Sequence, residues 1–512
     1  MSTVEPGVQQ DRTALAALQQ TRLRKTLGRA DIVFFIVAAV ISIDTIGLLA
    51  AGGGEGVVWA TFLAVAFLVP YALVFAETSA AFPAEGGPYH WVKLAFGRAW
   101  GAVAVVLYWV TNPIWLGGSL AFIAAEAWSH YVVPTEPGSV GDHAFKLVFV
   151  WSAITLAIVS LGHGKRVINA GAVAKLLVLV SMSATALVHV IGNGGINIGA
   201  VTFAPTLAGF LGIVPVALFA YVGFEAPTAA SDEMHDARRD TPVAIARGTV
   251  ITLLAYVVPV LTIVLVTPPE QLADAGVMST IRAAYDVWGG AAEPLITITA
   301  LAFVFALLTQ GSAWMIATDR MQAVAAADGA FFGGYLGSFS ARLGTPVRMN
   351  VLSGIVSTVF LLAAMNLVDG TAASIFTVVL TVAISTLLIS YVIIVPAVIR
   401  LRLAHGQVHR PFRVSGGQGV FVALAGLVLF LVAFGSWVAV FPGTVEALAC
   451  IDYSFVDVWG VTQLNFELFT VGTLLIVVAL GVVGYVRGAP LRSDTALRGD
   501  TALRGDTARE KA

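Results

Sequence analysis

The chain is built around long, predominantly apolar runs, of which Ile32–Ala51 and Val420–Phe441 are two. Each matches the roughly 20 residues a helix needs to cross the hydrocarbon of a bilayer. Runs of that length leave few options, because in lipid every backbone N–H and C=O must find its partner inside the protein. Helices satisfy that demand segment by segment, whereas open strands and loops do not. A barrel would show segments of about ten residues alternating in polarity, and the chain has none of that pattern. Composition points the same way. Of 512 residues 58% are hydrophobic and 11% charged, against roughly a quarter charged in a soluble domain, so there is too little charge to wet a folded surface. A net charge of −2 gives no basis for a nucleic-acid partner, and Cys450, the single cysteine, can form no internal disulfide.

Apolar segments fall near 32–51, 57–80, 96–130, 144–162, 167–190, 208–230, 243–266, 288–318, 347–367, 372–402, 418–441 and 464–487. The expected fold class is an all-α integral membrane protein of about 12 transmembrane helices. The third, eighth and tenth are longer than the bilayer and must tilt or project. When each charge is given to its nearer face, all but two of the 28 Lys and Arg lie on one side, leaving Lys146 and Arg282 for the other. That bias predicts twelve spans with both termini cytoplasmic, in the cell membrane. Residues 1–30 carry Arg12, Arg22, Arg24, Lys25 and Arg29 ahead of the first apolar run and read as a retained cytoplasmic arm. The tail, 488–512, repeats TALRGD at 495–500 and 501–506 and reads as disordered.

Two spans are interrupted. The first reads Ser42-Ile43-Asp44-Thr45-Ile46-Gly47, with a carboxylate and a glycine in mid-run. The sixth reads Phe219-Ala220-Tyr221-Val222-Gly223-Phe224-Glu225-Ala226-Pro227. Because they lie five spans apart, the second block enters the membrane from the opposite side, as an inverted repeat requires. Broken helices at matching places in two such halves mark a binding site at mid-depth.

Three stretches carry a resemblance to a known family. Glu77–Trp91 (ETSAAFPAEGGPYHW), Tyr221–Pro242 (YVGFEAPTAASDEMHDARRDTP) and Arg410–Arg413 (RPFR) resemble motifs of the amino acid–polyamine–organocation (APC) transporters. The likeness spans the first ten helices; the last two are recognisable only by hydropathy. It implies a 5+5 inverted repeat plus two C-terminal helices: residues 31–205, 206–402 and 403–487. It also implies alternating access to a site between helices 1, 3, 6, 8 and 10. Many relatives carry a Gly-x-Gly stretch in helix 1 that holds the substrate carboxylate; here Ser42-Ile43-Asp44 stands in its place, followed by Gly47.

Asp44 is the sharpest candidate, since a carboxylate near mid-span costs ~2.5–3.5 kcal/mol on insertion scales and should face a cavity or a partner. It reads as counter-ion for an ammonium group or as a proton site, against a structural role in holding the break. Breaks also free backbone groups, so Ser42, Ile43, Thr45 and Gly47 on one side, with Tyr221, Val222 and Gly223 on the other, are expected to line the site. For Gly47 and Gly223 the alternative is close helix packing. Glu225 reads as a proton-linked gate or as a neutral acid bonded to backbone carbonyls. Lys175 lies about nine residues, roughly 12 Å, into the fifth span. It resembles a lysine that in proton-coupled relatives stands where others hold sodium; the alternative is snorkelling to the interface. Phe219 and Tyr221, with Trp314 at a family position that faces substrate, are candidate aromatic lids over an ammonium. Asn112 either binds substrate or pairs the carbonyl that Pro113 leaves free. Glu77, Gly86, Gly87 and Tyr89 are expected to gate or fold, and Asp232, Glu233, Asp236, Arg238, Arg239 and Asp240 to form a solvated loop.

No cofactor or metal is expected, no phosphate loop or nucleophile–base pair is present, and the chain does not read as an enzyme. The expected function is secondary transport of an amino acid or related small amine, by proton-coupled symport or exchange. Alternatives are an amine, polyamine or γ-aminobutyrate transporter using Asp44 as counter-ion, or a non-transporting sensor of the same fold. The oligomeric state has no sequence signal.

Overall fold

The computed structural model describes residues 25–492 except 160, 193–200 and 368–371. Most of the expected N-terminal arm, and the repeated tail, lie outside the described residues. Among those described the structure is helical, with one isolated bridge between Leu27 and Met234 in place of any sheet.

Among the described residues, eleven helices are long and apolar enough to cross a membrane. The twelfth expected span is the first, and it is split: α1a (Arg29–Val40) and α1b (Ile46–Ala50) flank an unwound stretch. The others are α2 (Gly53–Ala81), α3 (Arg98–Tyr131), α4 (Val140–Ile158) and α5 (Leu161–Gly192). The sixth is also split, into α6a (Leu207–Tyr221) and a 3-10 segment, α6b (Ala226–Glu233). Then follow α7 (Ala237–Val266), α8 (Ala292–Ala327), α9 (Val347–Leu367), α10 (Ala372–Ala404), α11 (Gly417–Val440) and α12 (Gln463–Arg487). Short helices Pro88–Phe96 and Val277–Ala284 lie in the connections after α2 and α7. The 34, 36 and 33 residues of α3, α8 and α10 confirm that these three exceed the hydrocarbon thickness.

Local chemistry explains where the helices begin. Asp31 accepts from Gly28 N–H (3.0 Å) at the start of α1a, and the side chains of Ser139, Thr206, Asp236 and Thr462 cap α4, α6a, α7 and α12. Glu55 receives Thr206 N–H and its hydroxyl (Oγ1 at 2.6 Å), tying the start of α6a to the start of α2. Within α3 the register slips into a π turn at Leu116–Leu120. There Gly117 lies against the carbonyl of Ser357 on α9, where a Cβ would have no room. Such turns are common at functional sites.

Helices α3 and α10 are buried along 83% of their apolar windows, α12 along only 22%. The bundle is therefore centred on α3 and α10. The outward faces of α11 and α12 present Phe430, Trp437, Leu475, Ile476 and Val486, apolar surface that suits lipid contact.

The face bearing most Lys and Arg, at which the chain enters α1a, is fastened by ion pairs; we call it the basic face. Arg320, fully enclosed, reaches Glu85 (2.9 Å) and Glu233 (2.5 Å). Asp328 holds Lys93 (2.6 Å) and Arg98 (3.1 Å). Glu77 receives Arg402 (2.9 Å) and Arg410 (3.1 Å), joining the first and third family-like motifs. The 232–240 loop is only in part the solvated cluster expected: Asp236 and Arg239 are exposed, but Glu233 is buried against Arg320, and Asp240 takes Arg29 at 2.7 Å. Charges that would cost stability alone become stable when paired across segments. Asp328 lies beyond the end of α8; burial would raise its carboxyl, but Lys93 and Arg98 hold it below the ordinary range.

Candidate functional site

At the first break, α1a ends at Val40 and the chain turns at Ser42–Thr45, where Thr45 donates both N–H (3.0 Å) and hydroxyl (2.8 Å) to Ser42 O. The last carbonyls of α1a would be orphaned. Lys175 of α5 meets them: Nζ donates to Ala38 O (2.7 Å), Ile41 O (2.5 Å) and Gln310 Oε1 (2.6 Å). The ammonium sits at the negative end of a half-helix and is wholly buried, so the snorkelling alternative is excluded.

Gln310 of α8 extends this contact. Its Nε2 donates to Asp44 Oδ1 (2.8 Å), while Oε1 also receives Ile43 N–H (3.3 Å). Asp44 Oδ2 receives Trp115 Nε1 (3.1 Å). A buried cation and a buried anion are thus joined through one amide dipole aligned between them.

The second break is organised by tyrosines. Glu225 Oε2 receives the hydroxyl of Tyr71 on α2, and Oε1 receives those of Tyr108 on α3 (2.5 Å) and Tyr391 on α10. The backbone-carbonyl alternative for Glu225 is therefore replaced by a cage of three phenols. Tyr71 also accepts Gly223 N–H (2.8 Å). Gly223 has φ +117°, and a Cβ there would stand 2.7 Å from the Trp314 ring; both facts require glycine.

Between the breaks lies a water-sized cavity lined by Ser42, Tyr108, Thr111, Asn112, Trp115, Phe219, Trp314 and Leu387. Of the residues expected at the site, four line it: Ser42, Asn112, Phe219 and Trp314. Asp44 stands one hydrogen bond behind Trp115. Ile43, Thr45, Val222, Gly223 and Glu225 form the supporting backbone and cage, outside the lining. Tyr221 turns away to donate to Ala60 O (2.9 Å), and Gly47 packs on the connection after α7, where a Cβ would meet Ala275 O at 2.5 Å. Asn112 donates to Thr318 Oγ1 (2.9 Å), not to the carbonyl freed by Pro113. Trp314 Nε1 donates to Ala39 O (2.8 Å), and Phe219 meets Trp115 edge-on at 5.8 Å.

Sequence reasoning missed Tyr71, Tyr108, Tyr391, Trp115, Gln310 and Tyr256. The Tyr256 hydroxyl on α7 accepts Ser42 N–H (2.7 Å) and lies 3.0 Å from Val40 O and 2.9 Å from Ala220 O, touching both breaks at once. The only signal was a polar tip inside an apolar run.

The sequence that folds into this arrangement has counterparts among known proteins. The family described as amino acid permease matches residues 27–455. A probable agmatine/putrescine antiporter of Lactococcus lactis is 24% identical over 402 residues, 78% of this chain and 84% of the relative. An uncharacterized transporter of Legionella pneumophila is 27% identical over 418 residues (79% and 87%). A methylthioribose transporter of Bacillus subtilis is 24% identical over 460 residues (84% and 94%). The match across most of the chain and the split-helix bundle agree: the protein is a multi-pass membrane transporter, not an enzyme, and belongs to the amino acid permease family of the APC superfamily.

Proposed function

We propose that the protein carries a small amine, cationic and lacking a free carboxylate, across the cell membrane by alternating access, with its basic face in the cytoplasm. The observation that carries this reading is the fate of the backbone N–H groups freed at the breaks. Ser42 N–H is taken by Tyr256, Ile43 N–H by Gln310 and Gly223 N–H by Tyr71. A substrate carboxylate would have to displace buried protein acceptors to use them. An ammonium finds a better reception: four aromatic side chains, Tyr108, Trp115, Phe219 and Trp314, wall the cavity, each face worth ~0.5–2 kcal/mol to a cation. Asp44 supplies the counter-charge once the Trp115 indole moves aside. The likeness to an agmatine/putrescine antiporter supports the same class.

Lys175 serves as a fixed cation at the first break, so transport needs no sodium; coupling is to protons or to a counter-moving amine. Glu225 and its three tyrosines form the floor of the cavity toward the basic face, with Tyr108 belonging to both. Opening that floor requires breaking the cage as well as the Arg320 ion pairs beneath it.

Uptake and counterflow in proteoliposomes, with labelled amino acids and the corresponding decarboxylated amines under varied proton gradients, test this. Agmatine and putrescine should exchange and sodium removal should change nothing. Asp44→Asn should insert normally yet transport nothing. Wild-type rates in Asp44→Asn, or recognition confined to substrates with a carboxylate, would overturn the reading.

A further inference from the structure

A third carboxylate lies at membrane depth, outside the cavity and outside the chain from Lys175 to Asp44. Asp319 of α8 is fully buried, about eight residues or roughly 12 Å from the end of its helix on the basic face. Its Oδ1 receives Trp109 Nε1 of α3 (2.9 Å) and Ser353 Oγ of α9 (2.5 Å), and its Oδ2 receives Asn350 Nδ2 of α9 (2.7 Å). All three donors are neutral. The charged and titratable groups on the elements packed around it are committed elsewhere. Arg320 turns to Glu85 and Glu233, Tyr108 to Glu225, Arg348 to Tyr335, and Lys93 and Arg98 to Asp328.

A second observation concerns Asn350 itself. Its side chain is buried beside Asp319, yet its Oδ1 has no hydrogen-bond partner, and one turn beyond Ser353 the buried Ser357 hydroxyl has none either. A buried acceptor without a donor is costly. A proton on Asp319 gives that acceptor a donor: adding at Oδ2 it makes an O–H, half a turn of the Asn350 amide presents Oδ1 to receive it, and Nδ2 moves into the place Oδ1 leaves. The Ser353 hydroxyl and the Trp109 indole, whose Nε1 also lies 2.9 Å from Ser353 Oγ, go on donating to Oδ1, which remains an acceptor in both states. The surroundings thus offer hydrogen bonds to the carboxylate and to the acid, by an amide turnover in place of a counter-charge.

We infer that Asp319, with Asn350 as its reversible partner, is a proton-binding site of this protein. The proton enters from water on the basic face, forms the O–H bond at Asp319 and leaves by its breaking; nothing is oxidised or reduced. Protonation alters the grip of α8 on α3 and α9 next to the cavity, because Thr318, the preceding residue, receives Asn112 from the cavity wall. The inference deepens the proton coupling proposed above, and rests on that reading only for its consequence in transport.

The test is infrared difference spectroscopy of the full chain in nanodiscs on acidification. The protonated-carboxyl C=O band of the wild type should lose one component in Asp319→Asn. In Asn350→Leu that component should titrate at a shifted pH, which also serves if Asp319→Asn fails to fold. In proteoliposomes the pH dependence of labelled agmatine uptake should flatten in Asp319→Asn. A carboxyl band identical in the wild type and in every variant that folds overturns the proposal. A band lost in Asp319→Asn or shifted in Asn350→Leu upholds it, even in a protein that moves no amine, which would instead refute the transport reading.

Discussion

Replacing Lys175 by methionine keeps the length and apolar stem of the side chain and deletes its ammonium. Three bonds are then lost, now at 2.7, 2.5 and 2.6 Å: Ala38 O and Ile41 O are stranded, and Gln310 Oε1 keeps only Ile43 N–H. Charged hydrogen bonds in soluble proteins are worth about 1.5–3 kcal/mol. Polar contacts within membranes average nearer 0.6 and reach about 1.7, because the unfolded reference also finds partners there. About 1 kcal/mol for each of three bonds gives a loss of roughly 3 kcal/mol, close to the lower limit for breaking a buried pair from one side. The same loss leaves Asp44 buried without its counter-charge, so the effect should depend on Asp44. Asp44→Asn alone should destabilise too, by stranding the lysine. The double variant should cost less than both together, by about 1–2 kcal/mol, within the range for residues sharing one network. Unfolding titrations in mixed micelles at the four corners of the cycle measure this. Additivity to within about 0.5 kcal/mol would mean that Gln310 does not link the two charges.

Gly223→Ala should lower stability by about 1–3 kcal/mol, the usual cost of a strained backbone; Trp314→Ala should restore part of it, since the new methyl would press on that ring. Wild-type unfolding behaviour in Gly223→Ala would contradict the geometry. Tyr256→Phe should cost about 1 kcal/mol, the low end for orphaned buried carbonyls, and sharply slow agmatine uptake; unchanged uptake would remove this hydroxyl from the moving parts. Glu85 lies in the connection after α2, and burial, with the neighbouring Asp232 and Glu233 carboxylates, pushes it up to about 8 against the pull of Arg320. When the basic face opens, Glu85 returns toward its ordinary value of 4.5. Closure therefore takes up a proton between these values: its stabilisation is complete below 4.5 and lost as pH rises through 8. Thiol labelling of Ser42→Cys in a Cys450→Ser background, applied from the basic face, should slow on acidification, and Glu85→Gln should flatten that response; an unchanged slope in Glu85→Gln would assign it to another group.

The sequence carried the parts of this fold that depend on local chemistry. Apolar runs of bilayer length located the spans, and a carboxylate with a glycine inside such a run located both breaks, because a charge is costly at mid-span and glycine readily leaves the helical conformation. What it could not carry were partners far along the chain. Tyr71, Tyr108 and Tyr391 converge on Glu225 from 154, 117 and 166 residues away, and each alone looks like a packing aromatic. Gln310 and Asp319 sit in a helix whose apolar average masks them. The 232–240 loop misled for a related reason: mixed charges look the same whether they face water or, like Glu233, pair with a buried arginine. Gly47 was expected to offer backbone to the site, but only the packing of the α7–α8 connection shows that it makes room for Ala275.

The phenol of Tyr256 has a mechanical consequence. Rivets that pin two plates at a shared point let them pivot together but not slide apart. With one oxygen bound to the kinks of both interrupted helices, neither can swing alone without losing contacts the other also needs. The expected outcome is a concerted tilt of the paired elements against the surrounding scaffold, read as the same rate constant from a tracer placed on either kink.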